Sequence, residues 1–516
     1  MSLSRRDFLD FLRATCAAAA LPNLPLEAFG GDSRSTVAVT SSRAPNNPGA
    51  LVNDIHSQLN ATRVDRIIKP RTANDLRATV LTARSELKNI SIAGGRHAMG
   101  GQQFGEGSIL VDMTAMNRVL DFDAKQGIVE VEGGIEWPQL IDYLNKSQEG
   151  HENQWGIVQK QTGADRLSIG GALASNVHGR GLKLKPIIDQ VDSFTLMNHR
   201  GEMLRCSRDH NAELFRLVIG GYGLFGIVTS VKLRLWERKK VQRIVEIRDS
   251  KNIMESFEQR IAAGYLYGDF QFATDSNRDS FLRRGVFSCY RPVDPATPLT
   301  VHPTRFHPED WARLTYYSHK YKRRAFEVYT KRYLATSGQV YWADSQLSGA
   351  YVDNYHEELD RKLGATVKAT EMITEIYVPR DSLFDFLEEA RLELRKHEAN
   401  VIYGTIRLIE RDEESFLRWA REPFACVIFN LHVTHDSIGL DNAARAFRSF
   451  IDLAIKHAGT YYLTYHRFAT RPQVEACYPQ FSEFLQMKLT YDPDEVFQSE
   501  WYRHYKKMFG IGSPAF

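Results

Sequence analysis

The sequence predicts an α+β fold in two parts: an N-terminal α+β unit, then a second domain with an antiparallel sheet flanked by helices. Three observations carry that prediction. At 516 residues, with 43% apolar and 25% charged side chains, the chain is globular in composition and too long for one ordinary core. Between Val64 and Glu237 short strand-like runs alternate with helical ones. From Glu371 onward the elements run strand, helix, strand, strand, helix, which describes an antiparallel sheet with attached helices.

In chain order, residues 1–29 open with paired Arg5 and Arg6, then Phe8, Leu9 and a small apolar stretch. They resemble a twin-arginine export leader, which implies a periplasmic or secreted protein exported folded. The apolar stretch is too short to span a bilayer, and no other segment offers about 20 uninterrupted apolar residues, so no transmembrane span is expected. Residues 30–56 read as a flexible tether, because 30–50 are rich in Gly, Ser, Pro and Asn.

The first domain is expected over 57–238. VDRIIKP from Val64 reads as a strand, and Thr72 with Asp75 makes a capping-box-like start to a helix bearing Leu76, Val80, Leu81 and Leu87. Strands follow at 89–93, 108–113, 119–122 and 127–132, then a helix over 137–144 with Pro138 in its first turn. Residues 191–207 alternate about a turn as a hairpin, 214–219 read as a short helix or strand edge, and 221–237 as a glycine bend feeding a strand.

The second domain is expected over 239–458. It holds a Pro-rich stretch at 291–308, a long basic and aromatic helical segment over 311–334, strands at 371–379, 400–410 and 425–434, and helices over 382–397 and 440–457. A strand over 459–468 opens a C-terminal segment, 459–516.

Two glycine-rich runs carry the chemistry. SIAGGRHAMGG (91–101) and LSIGGALASNVHGRG (167–181) each follow a strand-like start, and each holds a histidine, His97 and His178. Glycines without side chains let backbone N–H groups approach an anion closely, as a dinucleotide pyrophosphate requires. Neither run has G-x-G-x-x-G between strand and helix with an acidic residue about 20 positions on, which argues against a Rossmann site. The formal charge of +3 is too near neutral for a general nucleic-acid surface, and the isolated KYKRR run (320–324) reads as a solvated helix face. Five scattered cysteines show no C-x-x-C and no zinc-finger spacing, so the sequence indicates no metal.

Over Val64 to Glu237, and again from YHRF to KLTYDPDEVFQSEWYRHY, the chain resembles flavoproteins of the vanillyl-alcohol-oxidase and p-cresol-methylhydroxylase superfamily. The resemblance implies a two-lobed FAD-binding first domain, to which the C-terminal segment returns, and a substrate domain with an antiparallel sheet flanked by helices. It implies that Gly94, Gly95, Arg96, His97, Ala98, Met99, Gly100 and Gly101 hold the FAD pyrophosphate. It further implies that Gly170, Gly171, Ala174, Ser175, Asn176, His178 and Gly179 pass the flavin ring, and that Gly226 and Ile227 begin the closing strand. Members with a similar first loop, such as sugar-alcohol oxidases and cytokinin dehydrogenases, attach the flavin through the histidine that matches His97. Ala98 replaces the serine that usually follows it. A neutral imidazole nitrogen is a competent nucleophile for the flavin 8α methyl.

GTIRLIERD and VIFNLHV resemble two substrate strands of sugar-alcohol and aldonolactone oxidases, placing Arg407 and His432 at matching positions and Thr405 where a glutamate would stand. YYLTYHRF offers His466 or Arg467 near the flavin. The implied chemistry is oxidation of a CH–OH group in a small polyol, sugar or lactone by hydride transfer to flavin N5. His432 or His466 acts as base, Arg407 stabilises charge, and oxygen or another acceptor takes the electrons. The aromatic residues Trp311, Tyr316, Tyr317, Tyr321, Trp342, Tyr351 and Tyr355 suit a more apolar substrate, so amine dehydrogenation or sterol-type double-bond reduction is the alternative. A non-catalytic flavin-binding envelope protein is the reading from another class.

Overall fold

The computed structural model describes residues 49–301, 303, 307–347 and 355–512. The leader over 1–29, most of the tether, Cys16 and Tyr351 lie outside the described residues. The end of the tether is ordered, which corrects its boundary: Ala50–Val52 pairs antiparallel with Thr62–Val64, and Asp54 and Ser57 are buried.

The first part has two lobes, as the resemblance implies. In one lobe Arg66–Ile68 and Ile90–Ala93 flank Ile109–Asp112 in a parallel sheet, crossed by the helix Ala73–Ser85. That helix starts with the Thr72/Asp75 capping box read from the sequence. The other lobe is an antiparallel sheet in the order Met203–Ser207, Val191–Met197, Ile227–Arg234, Ile128–Glu132, Val119–Asp123. Residues 214–217 fall in a helix, Ala212–Val218, which settles that ambiguity.

The second part is one antiparallel sheet. Its strand order is Val340–Trp342, Lys240–Asp249, Arg284–Pro292, Tyr267–Phe272, Val401–Ile409, Phe424–Thr434, Ala369–Pro379, Thr460–Tyr461. Helices Leu383–Lys396 and Ser437–Lys456 pack together against its Ala369–Pro379 strand. Pro308–Lys320, Lys322–Leu334 and Tyr355–Leu363 pack on strands of the same sheet and contribute side chains to a cavity. The single helix expected over 311–334 is two, because Tyr321 leaves the helical region at φ −140° and lets the second helix fold back on the first.

The strand expected over 459–468 ends after Thr460–Tyr461, and 462–470 continue as turns and irregular chain. Three helices then close the chain, Arg471–Cys477, Phe481–Tyr491 and Glu500–Phe509, and the turn before the last pairs Phe497 with Ile90 of the first domain. The largest hydrophobic cluster runs from Val129 to Phe509 and joins both parts. Cys206, Cys289, Cys426 and Cys477 are buried free thiols.

Candidate active site

A cavity of about 600 Å³ lies between the glycine loops and the large sheet. One wall is bare main chain, and the packing explains why. A Cβ on Gly94 would stand 2.0 Å from Ser168 Oγ, and one on Gly95 2.1 Å from the Arg166 carbonyl oxygen. The two glycine runs therefore press against each other, and only glycine fits at the contact. The amide of Gly170 donates to the Gly133 carbonyl at 2.7 Å. Gly226 sits at φ 146°, where a Cβ would meet the Met197 carbonyl oxygen at 2.6 Å. Arg96 and Tyr222 line the same wall at φ 58° and 54°, strain that non-glycine residues carry chiefly at functional sites.

Most of the predicted cofactor residues reach this cavity. Gly94, Gly95, Arg96, His97, Ala98, Gly170, Gly171, Ala174, Ser175, His178, Gly226 and Ile227 all line it. Met99, Gly100, Gly101, Asn176 and Gly179 do not. Asn176 instead ties the loop to the second part, its amide donating to Asp412 Oδ2 at 2.9 Å, and the Gly101 carbonyl accepts from Trp501 of the last helix.

His97 is buried, with Nδ1 2.9 Å from His56 Nε2. Burial, then the neighbouring His97 and His356, push the His56 imidazole down to about 3, so His56 is neutral. His178 lies between the Gly179 carbonyl at 3.0 Å and Glu375 Oε2 at 2.9 Å. Glu375 also accepts from Tyr377 at 2.7 Å and Tyr465 at 2.8 Å. Burial alone would raise its carboxyl, but His178, the Tyr377 hydroxyl and Arg407 outweigh burial and hold it at about 2. Tyr465 is pushed well above the ordinary phenol range, by burial first and by Glu375 next, so it stays a donor.

Arg407 lines the cavity, and its Nη2 donates to Thr162 Oγ1 at 2.7 Å. Two predicted bases are placed elsewhere. His466 is stacked on Phe447 at 4.5 Å between ring centres, with Nε2 3.2 Å from Thr374 Oγ1, in the core beneath the sheet. His432 is outside the cavity lining, its Nδ1 turned to Glu371 at 3.5 Å. Arg467 donates to the Glu500 carbonyl and braces the last helix.

Sequence reading missed Glu371 and Glu375. Both lie on Ala369–Pro379, where residues two apart share a face, and Glu371, Ile373 and Glu375 all line the cavity. Two carboxylates four residues apart on one face of a buried strand were the available signal. Glu375 and Thr405 both pair with Ile428, one from each side. The carboxylate missing at position 405 is thus present on the same row of the sheet, two strands over. His56, Thr162 and Asp269 gave no local signal, since only the tertiary fold brings them to the cavity.

The crowded glycine wall fits an extended diphosphate cofactor laid along bare backbone. In agreement, residues 64–207 match a family described as an FAD binding domain. The chain is an FAD-linked oxidoreductase with a domain of that type. It is 22% identical to the L-gulono-1,4-lactone dehydrogenase of Mycobacterium tuberculosis over 444 residues, 85% of this chain and 95% of that relative. It is 26% identical to the L-gulonolactone oxidase of Bos taurus over 210 residues, 40% of this chain and 46% of that protein. Cytokinin dehydrogenase 4 of Oryza sativa subsp. japonica is 26% identical over 243 residues, 44% of each chain. These similarities support an enzyme of the aldonolactone-oxidase-like group. No described helix is long and apolar enough to cross a membrane.

Proposed function

We propose that this enzyme oxidises a CH–OH group of a small polyol, sugar or lactone. The observation that carries the reading is a set of polar atoms on the cavity wall: Arg407 Nε, Asp269 Oδ1 and Asn430 Oδ1 are buried and make no hydrogen bond among the described residues. Buried donors and acceptors left open at a cavity call for a ligand rich in hydroxyl or carbonyl oxygens. The lactone-specific names of the relatives support the same substrate class.

Bound flavin supplies a two-electron acceptor at N5. The chain's own groups do the rest. Arg407 offers a fixed positive charge to oxygen as charge develops on it, and burial keeps water from screening that charge. The substrate hydroxyl proton would pass through the Tyr465 hydroxyl to the Glu375 carboxylate, the member of the Tyr465, Glu375 and His178 set that is not already protonated. Oxygen or another small acceptor would take the electrons that a bound flavin holds. Attachment of FAD through His97 belongs to the same proposal, with neutral His56 orienting the attacking ring. So does export through the N-terminal leader, which cell fractionation with and without Arg5 and Arg6 checks.

Anaerobic mixing with a panel of aldonolactones and alditols tests the substrate class, with bleaching of the flavin band expected. Trp311, Tyr316, Tyr329, Tyr333, Tyr355 and Tyr403 also line the cavity and favour a second reading, a donor with an aromatic or apolar body. Tyr317, Tyr321 and Trp342 do not line it, and Trp342 packs under Arg238. Bleaching by amines or apolar alcohols alone would select the second reading.

A further inference from the structure

Beyond the flavin site, the roof of the cavity holds a cluster that the proposed oxidation leaves unused. Glu371 and His432 face each other in register on adjacent strands. His319, from the helix Pro308–Lys320, brings Nε2 within 2.9 Å of Glu371 Oε1, and His432 Nδ1 lies 3.5 Å from the same oxygen. His319 and His432 stand edge to face, 4.7 Å between ring centres. The other oxygen, Oε2, meets His356 Nδ1 at 3.0 Å and the Tyr355 hydroxyl, both from the helix Tyr355–Leu363. The side chains of His319 and His356 are 2% exposed and that of Glu371 5%.

The hydrogen bonding of His319 is the decisive detail. Its Nδ1 lies 2.8 Å from the Thr315 carbonyl, an acceptor only, so Nδ1 carries a proton. A neutral ring then turns the Nε2 lone pair toward a carboxylate oxygen, and two electron-rich atoms cannot stay 2.9 Å apart unless a proton or a cation lies between them. A proton added to His319 answers that one contact, whereas the nitrogens of His319, His432 and His356 converge together on one carboxylate, an arrangement a metal ion engages as a set. A single metal ion satisfies the same atoms with neutral rings. A histidine that gives its far N–H to a backbone carbonyl is also how metal-binding imidazoles are usually oriented. The donor atoms of His319, Glu371 and His432 all lie within 4.8 Å of one another. Tetrahedral ligands at ~2.0–2.1 Å from zinc sit ~3.3 Å apart, so small side-chain rotations close the set.

We propose that His319, Glu371 and His432 bind a divalent transition-metal ion of the zinc type, with His356 beside them as a further nitrogen donor. Two histidines and one carboxylate, with no thiolate, select a borderline ion over calcium or magnesium. The ion clamps the helices inserted between strands Arg284–Pro292 and Ala369–Pro379 onto the sheet and so fixes the roof of the cavity. No zinc-type spacing exists in the sequence because the ligands come from three elements far apart in it.

The test uses the full flavin-loaded protein, dialysed against EDTA, then titrated with ZnCl2 by calorimetry and with CoCl2 by visible spectroscopy. The expected result is one equivalent bound, with cobalt d–d bands to the red of the flavin absorption. His319→Ala, and separately the near-isosteric Glu371→Gln, should each weaken binding at least about tenfold. In addition, EDTA should hasten tryptic cleavage within 320–332, and zinc should reverse that effect. Absence of stoichiometric binding by the wild-type protein overturns the proposal. So does wild-type affinity in either variant, which would place any bound ion elsewhere. None of these three readouts involves turnover, so each is independent of the substrate.

Discussion

His466 stacks between Phe447 and the phenol of Tyr461 at 2% exposure, and burial, then the charge of Arg448, push its imidazole down to about 3. The unfolded chain protonates this histidine near pH 6.5. The unfolded state therefore binds one more proton between those values, and stability is lost as pH falls from about 6.5 to about 3. The slope from this one group is about 1.4 kcal/mol per pH unit at most. A His466→Phe variant keeps the stack, so its denaturation midpoint should vary less steeply between pH 6 and 5; an unchanged slope would contradict a neutral core histidine. Arg407 makes the opposite case, a buried charge facing the cavity. Arg407→Ala should slow flavin reduction by about 10²–10³-fold while leaving flavin content intact, as removal of a preorganised charge does. Rapid mixing under nitrogen measures it. If FAD is attached through His97 as proposed, the wild type should carry flavin into the pellet after acid precipitation and His97→Ala should leave it in the supernatant.

Among the elements, the glycine turn after Ile90–Ala93 was legible because its signal is local. Paired glycines with a histidine beside them mean the same thing wherever the chain goes next. Gly94 also yields a prediction. An alanine there would put Cβ 2.0 Å from Ser168 Oγ and 2.8 Å from Ser168 Cβ, and Ser168 in turn caps Ile169–Ala174 by accepting from Gly171 N. Gly94→Ala should therefore cost about 1–3 kcal/mol and lower the flavin content of purified protein. Adding Ser168→Gly removes both clashing atoms and should restore part of it, measured as the ratio of flavin to protein absorbance. By contrast, Ala369–Pro379 was read correctly as a strand while its chemistry went unseen. Strand periodicity marks which residues share a face, and only the fold shows that the face bearing Glu371 and Glu375 meets a cavity. The two histidines picked from sequence, His432 and His466, sit on the right segments. The row and face they occupy depend on register and on where the last strand stops, which are set by tertiary packing.

For the molecule as a whole, the largest cluster, from Val129 to Phe509, joins the two parts, and the C-terminal turn adds a further link through the cluster of Ile90, Val496 and Phe497. Lys488 and Asp492 form a fully buried ion pair one helical turn apart. Asp492 also accepts the backbone N–H groups of Val496 and Phe497, each at 2.9 Å. Those amides hold the turn in which Val496 O accepts from Ile90 N at 2.6 Å and Gln498 N donates to Ile90 O at 2.8 Å. Ile90 begins the strand that runs into Gly94, so one carboxylate supports the cofactor wall from the far end of the chain. Asp492→Ala leaves a lone ammonium and two amides without partners in a dry site, which should destabilise the fold by about 3–5 kcal/mol. Because the turn and the glycine loop share Ile90, thermal unfolding and flavin release should move down together, in one transition followed by both tryptophan and flavin fluorescence. A variant that unfolds earlier yet binds flavin as tightly as the wild type below its midpoint would show that the turn stabilises the core without supporting the cofactor loop.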